Sequence, residues 1–158
     1  MIRNYRDLTR LEMEQVNKDE TIVLIPLGAL EQHGNQAPLG TDDIIAEAMT
    51  DYIRRELEGE PSSEDSDFPM LVFPVIPVGL STEHRNFCGS ITLKPDTYYH
   101  MLYDISTSLV HHGFKKLAFL VCHGGNAPIV QVLSRELRSE FGISPFILSS
   151  GAFSHPDV

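Results

Sequence analysis

With 158 residues, 42% of them hydrophobic and 22% charged, the chain has the balance of a water-exposed globular fold and enough length for one buried core. Asp and Glu total 22 against 12 Lys and Arg, and the resulting net charge of −10 weighs against nucleic acid or an anionic membrane as partner. Cys88 and Cys122 form neither a CxxC nor a disulfide framework, the amino terminus opens polar with no secretory apolar core, and no apolar run approaches the roughly 20 residues of a membrane span, so a cytoplasmic setting is expected.

Residues 5–18 place Leu8, Leu11 and Val16 near one face of a short, interrupted helix. Residues 21–27 are apolar throughout rather than alternating, which predicts a strand covered on both faces. A polar loop, 28–40, leads into a helix over 41–57, with Ile44, Ile45, Ala48, Met49, Tyr52 and Ile53 at helical spacing and Asp42 and Asp43 in its first turn. The acidic, Ser-rich stretch 58–67 reads as a surface loop. A second apolar run, 70–78, reads as a strand that Pro74 and Pro77 push to an edge or to an early end. A second polar loop, 79–90, then precedes a helix over 96–112 with Tyr99, Leu102, Ile105 and Leu109 inward and Gly113 at its end. A strand at 116–122 runs straight into His123-Gly124-Gly125-Asn126, and a helix from about 127 to 141 carries Ile129, Val132, Leu133 and Leu137. A last strand spans 144–149, and the chain shows no internal repeat.

Strands separated by such long helical crossovers must be parallel, which predicts a three-layer α/β/α domain, residues 1–158, around a mostly parallel sheet. In that architecture the loops leaving the carboxyl ends of the strands share one edge of the sheet, where open α/β folds place their sites. Glu31, His33, Asp42, Glu83, His84 and His123 all fall in such loops or at the helix starts beyond them. Their oxygen and imidazole donors suit Zn²⁺ or Mn²⁺, and the absence of thiolate argues against a purely structural zinc. The alternative is a solvated turn in which Glu31 and His33 lie on the surface and Thr41 or Asp42 merely caps a helix.

Read together, Glu31-Gln32-His33-Gly34, Pro38-Leu39-Gly40-Thr41-Asp42, Ser81-Thr82-Glu83-His84 with Phe87-Cys88-Gly89-Ser90, and His123-Gly124-Gly125-Asn126 resemble the creatininase (creatinine amidohydrolase) family, in order and over most of the chain. The resemblance implies a metal-dependent hydrolase of a C–N amide bond in a small cyclic amide or formamide, using metal-activated water; the family also includes a deformylase and a peptidase. It implies a two-metal centre in which Glu31 and His33 each bind one ion, Asp42 bridges them and His123 completes the first site. The divalent metal would be Zn²⁺, with Mn²⁺ or Fe²⁺ as alternatives. His84 and Glu83 stand beside that centre as candidate catalytic residues, His84 orienting substrate or shuttling a proton. Gln36, Ser81 and Asn126 are candidate substrate contacts, Asn126 equally readable as a helix cap.

The chain departs from the family pattern in several places. Asn35-Gln36 stand where Pro-His is usual, Val121-Cys122 where Asn-Gly is usual, and Cys88 where a proline is usual. Both cysteines read as packing or loop residues. Family chains continue into a further segment that carries a ligand glutamate and a catalytic histidine. In creatininase proper a ligand glutamate instead follows two residues after the third-loop histidine, where this chain has Gly125. By either pattern the second ion is left with His33 and Asp42, with His155 as a substitute ligand in the tail. The family reading therefore expects either an enzyme completed by a neighbouring subunit, another chain or a remodelled tail, or a truncated, non-catalytic homologue that binds metal or serves as an assembly partner. Bare apolar surface where the missing segment would lie leads to the expectation of a homo-oligomer.

Overall fold

Ile22–Leu27 supplies the centre of the molecule because every residue in it can be buried and its branched side chains favour an extended backbone. The computed structural model describes residues 2–58 and 69–153. In chain order these form β1 (Ile2–Asn4), α1 (Arg10–Gln15), β2 (Ile22–Leu27), α2 (Thr41–Glu58), β3 (Met70–Val72), α3 (Pro95–His111), β4 (Lys116–Val121), α4 (Ala127–Phe141) and β5 (Phe146–Ser149), with short 3-10 turns between. The strands make one sheet in the order β1-β3-β2-β4-β5, and every pairing is parallel. The longest ladder joins β2 to β4, from Ile22 opposite Lys116 to Leu27 opposite Val121.

Successive side chains of a strand point to opposite faces, so β2 and β4 each feed two cores. Val23, Ile25 and Leu27, with Leu117, Phe119 and Val121, pack against Tyr98, Leu102 and Leu109 of α3 and Val130, Leu133 and Leu137 of α4. Leu24, Ala118 and Leu120 face the other way, toward Ala46, Ile45, Met49 and Ile53 of α2. This is the expected three-layer α/β/α arrangement. Fully burying each large apolar side chain contributes roughly 1.5–3 kcal/mol, which makes the sheet's centre the stable platform for whatever its loops carry.

Several details differ from the sequence reading. β1 was not expected: three residues are too few to show a period, and it pairs with β3 only through the fold. β3 ends at Val72, before Pro74, but is not an edge, because β1 lies beyond it. Pro26 sits inside the central strand without cost to the ladder, since its missing N–H faces the side on which β3 has already ended; beyond the break Ile76 N–H donates to the Pro26 carbonyl at 2.9 Å. Single positions on the inward faces of the helices also differ. Tyr98 rather than Tyr99 is fully buried in α3, Val130 is buried while Val132 is exposed in α4, and Ile44 and Tyr52 of α2 are exposed while Ala46 and Thr50 are buried. Leu8 and Val16 pack on the core together with Met13, whereas Leu11 is exposed. Gly113 and Gly142 end α3 and α4 with φ of 96° and 69°, a conformation that glycine adopts freely. The stretch read as an acidic surface loop and His155 lie outside the described residues, apart from Glu58 at the end of α2. No helix among the described residues is long and apolar enough to cross a membrane.

Candidate metal centre

The loop after β2 turns back on itself, and that reversal brings Glu31 to Asp42. Gly34, with φ of 76°, makes the turn; Ala37 bridges to His33, and Glu31 N–H donates to the Leu39 carbonyl at 2.9 Å. Gly28 then lets α2 start directly against the end of β2, because a Cβ there would lie 2.0 Å from Asp43 Oδ1. His123 arrives from the end of β4, its Nε2 2.7 Å from the Leu80 carbonyl in the loop after β3. Three strand ends thus converge on one edge of the sheet, as the parallel topology predicts.

Glu31, Asp42 and His123 are 4%, 5% and 6% exposed, so Glu31 is not the surface residue of the solvated-turn alternative, whereas His33 is partly exposed. Their ligand atoms lie within 4.8 Å of one another. His123 Nδ1 is 3.1 Å from Asp42 Oδ2, and His123 Nε2 is 3.5 Å from Glu31 Oε2. Neither approach has the alignment of a hydrogen bond: Glu31 Oε2 and Asp42 Oδ2 are buried without a hydrogen-bond partner. The other oxygen of Asp42, Oδ1, faces His33 Nε2 at 3.3 Å, so this carboxylate stands between two imidazoles.

Buried, unpartnered carboxylate oxygens are costly unless a cation or donor meets them. Here the residues fit a divalent cation on three counts. Two anionic oxygens and one imidazole are gathered at ligand spacing. The donor types are the hard and intermediate ones that Zn²⁺ and Mn²⁺ accept. His123 Nε2 is held by a backbone carbonyl, and such a bond on the other ring nitrogen is what orients a histidine toward a metal. Without a cation, burial pulls the His123 pKa down, but Asp42, the Leu80 carbonyl and the Glu31 charge outweigh it and hold the pKa at about 9.

The remaining residues divide sharply. His84 is half-buried beside Glu31, its Nε2 3.5 Å from Glu31 Oε1, and Glu83 is exposed next to it. Gln36 is exposed and lines a hollow of about 610 Å³ with Gln32, Asn35, Leu39, Phe87 and Cys88. Ser81 and Asn126, expected on the substrate side, are both fully buried, and this corrects the expectation. Ser81 N–H donates to Thr92 Oγ1 at 2.9 Å, which fixes the loop after β3 from within. Asn126 makes no capping bond to α4. Its Nδ2 donates to the Gly28 carbonyl at 2.9 Å and its Oδ1 accepts from Leu80 N–H at 3.0 Å, so one amide ties the three site loops together. Gly79 must be glycine for that clip to fit, because a Cβ would lie 2.2 Å from Asn126 Oδ1. Burial, helped by the Asp42 charge, pushes the Cys122 thiol up to about 11, in keeping with inert packing.

Sequence reasoning missed Gln32, whose side chain reaches His84, and the Leu80 carbonyl that holds His123. Gln32 lay in plain sight between Glu31 and His33, but its partner is 52 residues away. At Gly125 the structure leaves no room for a side chain: a Cβ would fall 2.2 Å from the Leu80 carbonyl oxygen and 2.5 Å from His123 Nε2.

Comparison with known proteins matches this architecture. The mycofactocin precursor peptide peptidase of Mycobacterium ulcerans (strain Agy99) is 33% identical over 118 residues, 75% of this chain and 46% of that protein. Among solved structures, a creatininase described as the Mn form superposes with a TM-score of 0.73 at 25% identity, covering 92% of this chain and 57% of that one. A mutant creatininase of Zn-Zn type superposes with a TM-score of 0.76 at 25% identity, covering 97% of this chain and 60% of that one. The chain spans about half the length of the curated relatives it matches. The family model for creatinine amidohydrolase runs from residue 6 to 155, through all three loops that carry Glu31, Asp42, His84 and His123, and on that evidence the chain belongs to the creatininase family.

Proposed function

We propose that the chain holds a divalent cation, Zn²⁺ or Mn²⁺, between Glu31, Asp42 and His123 and serves a metal-dependent hydrolase of a C–N amide bond. The observation that carries this reading is the pair of buried oxygens, Glu31 Oε2 and Asp42 Oδ2, left without hydrogen-bond donors beside an imidazole. A divalent cation supplies Lewis acidity toward an amide carbonyl and lowers the pKa of water, which are the two requirements of amide hydrolysis at neutral pH. Asp42, with one oxygen toward His123 and the other toward His33, is arranged to serve two cation positions, His33 providing the second nitrogen. The hollow lined by Gln32, Gln36 and Phe87 belongs to the same loops that carry Glu31, His33 and His84, which supports it as the place for the substrate. Relatives named for a precursor peptide and for creatinine both have an amide as the reacting group, so a small cyclic amide, a formamide or a peptide amide is the substrate class.

A second reading, a metal-binding homologue without hydrolase activity, is favoured by one observation. Among the described residues the second cation position has only His33 and Asp42, and position 125 cannot offer a side chain. Elemental analysis of protein purified without chelator or nickel resin separates the readings. Zn²⁺ or Mn²⁺ at one or two equivalents per chain, abolished in a folded Asp42→Ala variant, together with turnover of amide substrates, is the result expected. Bound metal with no turnover would leave the binding protein, and no metal on a folded chain would defeat both.

A further inference from the structure

Three imidazoles line the centre, and the group behind each one determines which ring nitrogen carries the hydrogen. Behind His33, Nδ1 lies 3.2 Å from the Glu31 carbonyl. A carbonyl only accepts, so Nδ1 holds the hydrogen and Nε2 presents its lone pair to the centre. Behind His123, Nε2 meets the Leu80 carbonyl at 2.7 Å, so in the neutral ring that a cation would bind the lone pair is on Nδ1, the nitrogen nearest Asp42. Both rings are therefore set as ligands.

His84 is set the other way. Its Nδ1 lies 2.8 Å from Gln32 Nε2. The orientation of that amide is fixed at its other end, where Gly34 N–H donates to Gln32 Oε1 at 3.0 Å. A backbone N–H can only donate, so the oxygen must face Gly34 and the NH₂ must face the ring. An amide NH₂ only donates in turn, so His84 Nδ1 accepts and the ring hydrogen sits on Nε2, 3.5 Å from Glu31 Oε1. By distance alone Glu31, Glu83 and His84 gather into a second cation cluster. The donor pattern removes His84 from it, because its lone pair is turned away from the centre and engaged by Gln32.

We propose that His84 is an N–H donor at the centre rather than a metal ligand, and that Gln32 is the positioning residue that sets its tautomer. The Nε2–H faces Glu31 Oε1, and His84 is only half-buried and held by Gln32, which lines the hollow, so the N–H is available to donate a hydrogen bond to an oxygen of a bound amide. That use of the N–H rests on the hydrolase reading; the tautomer itself rests only on the chain's own hydrogen bonds.

The test is ¹⁵N NMR of protein labelled in its histidine rings, with the His84 signals identified by their loss in His84→Gln. In the wild type, His84 should show a protonated Nε2 and an unprotonated Nδ1, whether metal is absent or Zn²⁺ has been added. Zn²⁺ should shift the rings of His33 and His123 instead. In Gln32→Glu one carboxylate oxygen can keep the Gly34 bond while the other, now an acceptor, faces the ring, so Nδ1 becomes protonated. Gln32→Met, which neither donates nor accepts, should relax the preference to a mixture. A protonated Nδ1 in the wild type, coordination of Zn²⁺ by His84, or a ring pattern indifferent to both substitutions would overturn the proposal. Failure of Zn²⁺ to bind at all would instead defeat the hydrolase reading and leave the tautomer assignment standing.

Discussion

The amide of Asn126 shows how much of this site depends on one fully buried side chain. It satisfies a carbonyl from the loop after β2 and an N–H from the loop after β3, while sitting itself at the end of β4. Replacing it with leucine fills similar space but leaves Gly28 C=O and Leu80 N–H buried and unpaired. Each such group costs about 1–3 kcal/mol, so Asn126→Leu should lower unfolding stability by roughly 2–6 kcal/mol. Because Leu80 also holds His123, the variant should lose metal as well. An unfolding free energy from urea titration within about 1 kcal/mol of wild type would show that these groups find other partners. The contrast with the proposed ligands explains what was legible from residues alone. Glu31, His33, Asp42 and His123 announce themselves because carboxylates and imidazoles carry their own chemistry wherever they are brought together. Asn126 does not: its role is set by backbone groups in distant loops, which no local pattern records.

At the scale of elements, α1 is held at its start by a reciprocal capping box. Glu12 N–H meets Thr9 Oγ1 at 3.3 Å, and Thr9 N–H donates back to Glu12 Oε2 at 2.8 Å. Arg3, on β1, closes on the other carboxylate oxygen at 2.7 Å, so one side chain links the first strand to the first helix. The Thr9 N–H, then the Thr9 hydroxyl and Arg3, lower the Glu12 pKa from 4.5 to about 2. A folded-state pKa below the unfolded one means that the stabilisation is complete above about pH 4.5 and fades as the pH falls through about 2. Glu12→Gln keeps the shape but loses the charge. Its deficit in urea stability against wild type should therefore be constant near neutrality and shrink between those two pH values; a deficit independent of pH would mean that the charge plays no part. The elements themselves were readable where they were long and apolar, as in β2, β4 and the three long helices. β1 was hidden because three residues carry no periodicity, and single positions at the rims of otherwise correct helix faces were misplaced, Tyr99 for Tyr98 and Val132 for Val130, because rim positions satisfy a helical stripe almost equally well on paper.

For the whole molecule, the sheet order places β2 between the two cores and leaves β1 and β5 at the edges. The two edges are finished differently. On β1, Ile2 is buried, its N–H faces Glu58 at 3.4 Å, and Arg54 from α2 reaches Asn4 Oδ1 at 2.9 Å, so charged side chains close that side. On β5, Phe146 and Ile147 point to opposite faces and are 57% and 40% exposed. Among the described residues β5 is an edge strand with apolar side chains exposed on both faces, the combination that recruits another chain. We propose that β5 is an association surface, which for purified protein means a second copy of the chain. Sedimentation should then give a mass well above 17.7 kDa, and the pair Phe146→Glu and Ile147→Lys should return the chain to a monomer with its circular dichroism unchanged. The substitutions lie on the exposed rim, away from Glu31, Asp42 and His123, so metal content should be retained in the monomer if the centre is built within one chain. A wild-type chain that sediments as a monomer would remove β5 as a self-association surface, whereas metal lost together with the oligomer would show that the cation site draws on the neighbouring copy.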